Sequence, residues 1–328
     1  MPIIDMHNHL IGDHPDFIAL LEEFDIKVMN ISVAWGEEHQ WRAQSGHYRE
    51  LARRFPDRFA WCATFPPPRP EDEKDRQAYA RKAIADLESA FDQGALACKF
   101  HKNIGMGIQK ADGSFLMIDD PILTPIFDYL ERRDFPAIMH IGEPIAAWMP
   151  ITPGFPHSDY FARRRDYHWH GQKDKPSHAQ ILAARDRVIE RYPRLKVIGA
   201  HLGSHEHDVD EVAARLEKYP NYAVDTSARL IDLMWQDQDK VRDFFLKYSD
   251  RILFGVDWIL EPPVSTMTHA ERKRLLENLR SRYYAYLRYF GTEEIIEYRT
   301  YKVIGLNLPE PILEKLYLHN AKHWIPGL

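Results

Sequence analysis

At 328 residues and 45% apolar content the chain can bury a sizeable core, which excludes a disordered polypeptide and a disulfide-stapled miniprotein. Lys and Arg total 43 against 49 Asp and Glu, a net charge of −6, so the basic excess that a nucleic-acid surface needs is missing. Cys62 and Cys98 lie in apolar runs without CxxC spacing, no apolar run reaches membrane length, and the opening residues do not resemble a signal peptide; the expectation is a cytoplasmic protein with reduced thiols and a small-molecule partner, self-association left open.

The first expected strand, residues 2–7, runs into Asp5-Met6-His7-Asn8-His9. Side chains alternate along a strand, so Asp5, His7 and His9 are expected to face one way. Two imidazoles then converge where a divalent metal can bind, with Asp5 one layer below to fix an imidazole tautomer. A helix at 16–24 and a strand at 26–34 follow, and after them Trp35, Trp41 and Arg42 either line a pocket or form an ordinary loop. Next come a helix at 45–54, a strand at 59–65, a helix at 74–92 and a strand at 95–101, on which Lys99 and His101 share the inward face. A helix at 122–133 leads to the strand 136–141, which closes on His140.

Residues 143–176 are too long for an ordinary connection. Their aromatic content (Trp148, Tyr167, Trp169) argues for an ordered lid, with Arg163, Arg164 and His168 as candidate substrate contacts. Pro176-Ser177 then reads as the cap of a helix at 177–191, and the strand 195–201 ends on His201. His205 and His207 mark the start of a helix at 207–218 rather than a second metal site. A strand at 221–227, a helix at 238–247, a strand at 251–257 ending on Asp257 and a helix at 267–289 complete the series.

Eight strands, each followed by a helix, make an α/β chain of the (β/α)8 (TIM) barrel type: one domain over 1–328, with the long loop 143–176 and a helical C-terminal extension over 291–328. A doubly wound open sheet fits less well, because no Gly-rich phosphate turn follows any strand. In a barrel the C-terminal strand ends ring one site, so His7, His9, His140, His201 and Asp257 become neighbours.

This arrangement resembles the amidohydrolase superfamily, in the branch that includes aminocarboxymuconate semialdehyde decarboxylase-like metal-dependent hydrolases. The resemblance covers nearly the whole chain. It rests on Asp5-x-His7-x-His9, His140, Ala200-His201-Leu202-Gly203, Val224-Asp225-Thr226-Ser227, Gly255-Val256-Asp257-Trp258 and the tail segment Leu318-His319-Asn320-Ala321-Lys322. It implies metal ligands at His7, His9, His140 and Asp257, with His201 as the catalytic histidine. In that branch one metal is the rule, so Lys99 is expected to bind a substrate carboxylate or phosphate, with His101 beside it.

Three neutral imidazoles and a carboxylate suit one Zn²⁺, with Mn²⁺ second because of the oxygen ligand. Asp257 and His201 then form a proton-transfer pair. The expected activity is hydrolysis of a lactone, an amide or a C–C bond beside a carbonyl in a small anionic molecule, because a polar lining from Arg163–Arg165, His168 and His170 admits water. Nonoxidative decarboxylation of an aromatic or unsaturated carboxylate is the alternative. A barrel that binds metal and ligand without turnover is disfavoured, since a pure binder has no need of that pair.

Overall fold

The computed structural model of the chain describes residues 1–260 and 263–328. Strands β1 (Ile3–Leu10), β2 (Ile26–Ile31) and β3 (Phe59–Cys62) pair in parallel, as do β4 (Cys98–Phe100), β5 (Ala137–Met139), β6 (Val197–Gly199), β7 (Tyr222–Asp225) and β8 (Ile252–Leu253). Two seams join these groups. A parallel bridge between Ala63 and Cys98 links β3 to β4, and Met6 N donates to Phe254 O at 3.1 Å to link β1 to β8. The eight strands thus close into a ring, as expected from their alternation with helices. After β8 the chain breaks step and resumes as β9 (Trp258–Leu260), paired in parallel with β1. The break falls at Asp257, whose φ is +54°.

Most strands end earlier at their C-terminal ends than the apolar runs suggest, because the chain splays there and ladder pairing gives way to the walls of a cleft. Between the strands lie the expected helices. The Ser177 cap is among them: its side chain accepts from Gln180 N, and Gln180 returns a bond to Ser177 N at 2.8 Å. The second helix starts earlier than its apolar pattern indicates, at Glu38, and carries the buried Trp41.

Alternation along the strands divides the apolar side chains into two layers. Ile4, Met6, Met29, Ile31, Cys62, Ile138, Ile198 and Leu253 fill the barrel interior. Ile3, Val28, Phe59, Cys98 and Val197 pack outward against the helices. The floor of the interior is closed by Ala321 and Trp324 from the C-terminal helix Asn320–Trp324 and by Ile325 just after it. Asn320 Nδ2 anchors that helix, donating to Ser249 O and Ile252 O at 2.7 Å each. Burial of a side chain of this size stabilises by about 1.5–3 kcal/mol.

The C-terminal extension is not purely helical. Ile295–Tyr298 and Tyr301–Ile304 form an antiparallel hairpin, β10 and β11, turned at Arg299 with φ +54°. The insertion 143–176 is ordered around a Trp148–Trp169 contact and holds a short helix, Ser158–Arg163. Tyr301 OH donates to Gly154 O at 3.0 Å, so the hairpin and the insertion meet over the barrel mouth. Among the described residues no helix is long and apolar enough to cross a membrane.

Candidate active site

A cleft of about 1190 Å³ opens at the C-terminal strand ends. It is floored by His9, Lys99, His101, His140, His201 and Asp257. The first strand reaches it through a bulge: Asp5 pairs with Val28 but Asn8 with Asn30, so three steps on β1 face two on β2. The extra residue reverses the side-chain parity. Asp5 therefore does not stand beneath the two histidines. It points outward, accepting from Tyr283 OH at 2.7 Å and Val256 N at 3.1 Å, and burial pushes its carboxyl up to about 6.

The partner that fixes an imidazole is Asp225, at the end of β7. His7 Nδ1 lies 2.8 Å from Asp225 Oδ2, both groups fully buried. Nδ1 donates to the carboxylate, which leaves the Nε2 lone pair for a ligand. His9 Nδ1 donates to Ile31 O at 2.7 Å, leaving its Nε2 3.5 Å from Asp257 Oδ1. The ligand atoms of His7, His9 and Asp257 all lie within 4.8 Å of one another. A second trio, His7, His201 and Asp225, is equally close. Its carboxylate is already committed to His7, to the backbone N–H groups of His201 and Ser227, and to the Ser227 hydroxyl.

Ser227 donates its hydroxyl proton to Asp225, so His201 Nδ1 must donate to Ser227 O at 2.9 Å and its Nε2 is an acceptor. His201 and Leu202 adopt φ of +61° and +55°. Such conformations cost about 1–3 kcal/mol each and persist where surrounding structure enforces them. Here the bond from His201 N to Asp225 Oδ1 at 2.9 Å does so. His140 stands against His201 with ring centroids 4.3 Å apart. Burial holds His7, His140 and His201 well below the usual imidazole range, hence neutral, as metal ligation and proton acceptance both require.

Three buried atoms on this floor, His101 Nδ1, His140 Nε2 and Asp257 Oδ1, have no hydrogen-bond partner among the described residues. Each such orphan costs about 1–3 kcal/mol unless something fills the gap. A divalent ion fits this donor set, with His7, His9 and Asp257 as the close trio and His140 beside His201. Lys99 is buried with its Nζ 3.2 Å from His7 Nε2, and burial draws it down to about 8. His101 lies between Trp35 and His140, with centroids 5.4 and 5.6 Å away. Trp35 and Trp41 line the cleft; Arg42 instead pairs with Glu38 and Asp86.

The structure does not bring Arg163, Arg164 and His168 to the cleft. Arg163 is exposed, Arg164 pairs with Asp166 at 3.0 Å, and His168 Nε2 lies 2.9 Å from Met149 O inside the insertion. From the same insertion it is His157, Tyr160 and Tyr167 that line the cleft. Asp225 closes an apolar run as His140 and His201 do, so the signal that found those residues was present for it as well. Arg282 and Arg299, also in the lining, come from a helix and a hairpin tip whose positions strand patterns do not report.

His205 and His207 precede the helix Val209–Lys218, capped by Asp208, and cluster with His178 at ring distances of 6.0–6.3 Å. No metal trio forms there among the described residues. Burial lowers His178 from 6.5 to about 4, and His205 also falls. The unfolded chain therefore protonates first. The stability from a neutral His178 is complete above pH 6.5 and is lost as pH falls toward 4, a total of roughly 3 kcal/mol. His178→Gln should make the acid slope of the urea midpoint between pH 6.5 and 4 measurably shallower, the other buried histidines keeping the rest; an unchanged slope would remove His178 from the effect.

The sequence matches the family described as Amidohydrolase over residues 4–325. No curated protein matches it. Similar solved structures include 2,6-dihydroxybenzoate decarboxylase from Rhizobium, 16% identical with TM-score 0.57 over 99% of this chain and 98% of that one. Another is 4-oxalomesaconate hydratase from Rhodopseudomonas palustris, 13% identical with TM-score 0.55 over 99% and 96%. A third is 5-carboxyvanillate decarboxylase from Novosphingobium aromaticivorans, solved with manganese and a nitrobenzoic acid, 14% identical with TM-score 0.53 over 96% and 80%. At these identities the likeness is one of fold.

Proposed function

Because the chain belongs to the amidohydrolase family, we propose that this enzyme hydrolyses a lactone, ester or amide bond in a small organic anion. A divalent ion held by His7, His9 and Asp257, with His140 as a further donor, supplies Lewis acidity toward a carbonyl oxygen and acidifies water at the cleft floor. Zn²⁺ suits the imidazoles best, and Mn²⁺, which accompanies 5-carboxyvanillate decarboxylase, is the second choice. The observation that carries the reading is Asp257 Oδ1: a buried carboxylate oxygen without a hydrogen-bond partner, on the floor of a cleft that water can enter. The Asp257 carboxylate, with two oxygens, can serve the ion with one and take the proton from the attacking water with the other, returning it to the leaving group. His201, neutral and with Nε2 as an acceptor, relays a second proton. The Lys99 ammonium attracts a substrate carboxylate to the floor.

Water access rests on the open mouth, where Trp35 and Ile259 are 48% and 69% exposed, rather than on the arginines of the insertion. One feature favours decarboxylation as the second reading: Trp35 and Tyr167 pack 6.2 Å apart along the cleft and give an aromatic ring a place to stack. Lactones, esters and amides of small acids should be screened with Zn²⁺ or Mn²⁺ beside dihydroxybenzoate-type and muconate-type carboxylates. Acid release from the former group is expected. CO2 release from the latter, without any hydrolysis, would replace the first reading with the second.

A further inference from the structure

The net charge of the chain is −6, yet the cleft concentrates positive charge. Five cationic side chains line it: Lys99, Lys102, Arg229, Arg282 and Arg299. Among the described residues only two carboxylates do, Glu143 and Asp257. Glu143 is paired with Lys102, and Asp257 belongs to the His7–His9 cluster. Among the described residues Lys99, Arg282 and Arg299 have no carboxylate partner, and Arg229 has only a long ion pair with Glu206, which lies outside the cleft lining.

The arginines come from separate elements. Arg229 follows the Ser227 that holds His201, is 5% exposed, and has a buried Nε without a hydrogen-bond partner. Its ion pair with Glu206 is long, 3.8 Å from Nε to Oε2, and its Nη1 donates to Ala228 O at 3.0 Å, so the guanidinium is only partly satisfied. Arg282, from the helix His269–Gly291, stacks over Trp258 at 4.3 Å. Its Nη1 makes only two long bonds, to the carbonyls of Val256 at 3.4 Å and Asp257 at 3.3 Å. Arg299 is the exposed tip of the β10–β11 hairpin. Among the described residues neither Arg282 nor Arg299 has a carboxylate within ion-pair distance.

Arginines converging on one cavity, two without a carboxylate partner and one only loosely paired, are a planar multidentate trap for an oxyanion, and a buried unsatisfied guanidinium N–H is costly until one arrives. The geometry points to a second anion subsite, built by Arg229, Arg282 and Arg299, and therefore to a dianionic substrate that spans from this subsite past Asp257 toward Lys99. The second group is a carboxylate, sulfonate or phosphate. This deepens the hydrolase reading and rests on it for what happens between the two ends, while the subsite itself is tested by binding alone.

Titration calorimetry on the metal-loaded protein should compare glutarate, 3-sulfopropanoate and 3-phosphonopropanoate with the monoanion butyrate. The dianions should bind at least tenfold more tightly, and the tightest of them names the oxyanion. Arg299→Gln, at an exposed hairpin tip that tolerates the change, should bring the ratio of glutarate to butyrate affinity near one and leave butyrate unchanged; Arg282→Gln should do the same. Equal binding of mono- and dianions by the wild type would overturn the subsite, as would a ratio untouched by either substitution. If dianions bind selectively but no ester, lactone or amide of a dianion is cleaved, the hydrolase reading fails and the subsite stands. Cleavage of monoanionic and dianionic esters with equal kcat/KM would leave the hydrolase reading and remove the subsite.

Discussion

Asp257→Asn should lower kcat by roughly 10³-fold or more on any ester, lactone or amide that the wild type cleaves, because the amide cannot take the proton from water. The substitution isolates chemistry from folding unusually well. Asp257 sits at φ +54°, a conformation that Asn tolerates at least as readily as Asp, and its backbone N–H donates to His7 O at 2.9 Å whatever the side chain. The melting temperature should therefore hold. Metal content should fall only in part, since the Asn carbonyl oxygen remains a third, neutral donor beside His7 and His9, which keep their orientation through Asp225 and Ile31. Wild-type turnover in the variant would remove Asp257 from the proton path and leave it as a ligand at most.

His7→Ala should have the largest structural effect. The ring is wholly buried, is the partner of Asp225 and the neighbour of Lys99, and is proposed to supply a ligand nitrogen. Removing it leaves Asp225 buried with one donor fewer and Lys99 without its neighbour, beside a new void. A loss of roughly 2–4 kcal/mol is expected, moderated because His201 N and Ser227 N still donate to Asp225. Elemental analysis should show bound divalent metal falling from about one equivalent per chain to a small fraction of that, since two remaining close donors hold an ion poorly. Undiminished metal with an unchanged urea midpoint would mean that the ion sits elsewhere.

The grouping of candidate residues was legible because His140, His201 and Asp257 each close a short apolar run while His7 and His9 lie near the end of the first strand, and in a barrel that placement is enough to bring distant residues together. Asp225 carried the same mark, but a carboxylate there reads equally well as a turn residue until His7 is seen beside it. Asp5 was misplaced for a physical reason: strict alternation assumes an unbroken ladder, and the bulge between Asp5 and Asn8 adds one residue. The insertion could be recognised as ordered from its tryptophans, but which of its side chains face the cleft depends on tertiary contacts such as that between Tyr301 and Gly154, joining segments 147 residues apart. The hairpin at Ile295–Ile304 was missed because two four-residue strands offer too few alternations to outweigh the helical setting around them.

Because Ala321, Trp324 and Ile325 seal the barrel from below, a chain emerging from the ribosome carries an open tube until those residues appear. Ile4 and Met6, synthesised almost first, wait for neighbours synthesised almost last. Contacts so distant in sequence close slowly. In the interval Ile138, Ile198 and Leu253 remain reachable from the unsealed end, an apolar bore that another unfinished chain can enter as easily as Trp324 can. Recombinant yield should then follow chaperone supply and growth temperature more closely than the stability of the finished barrel.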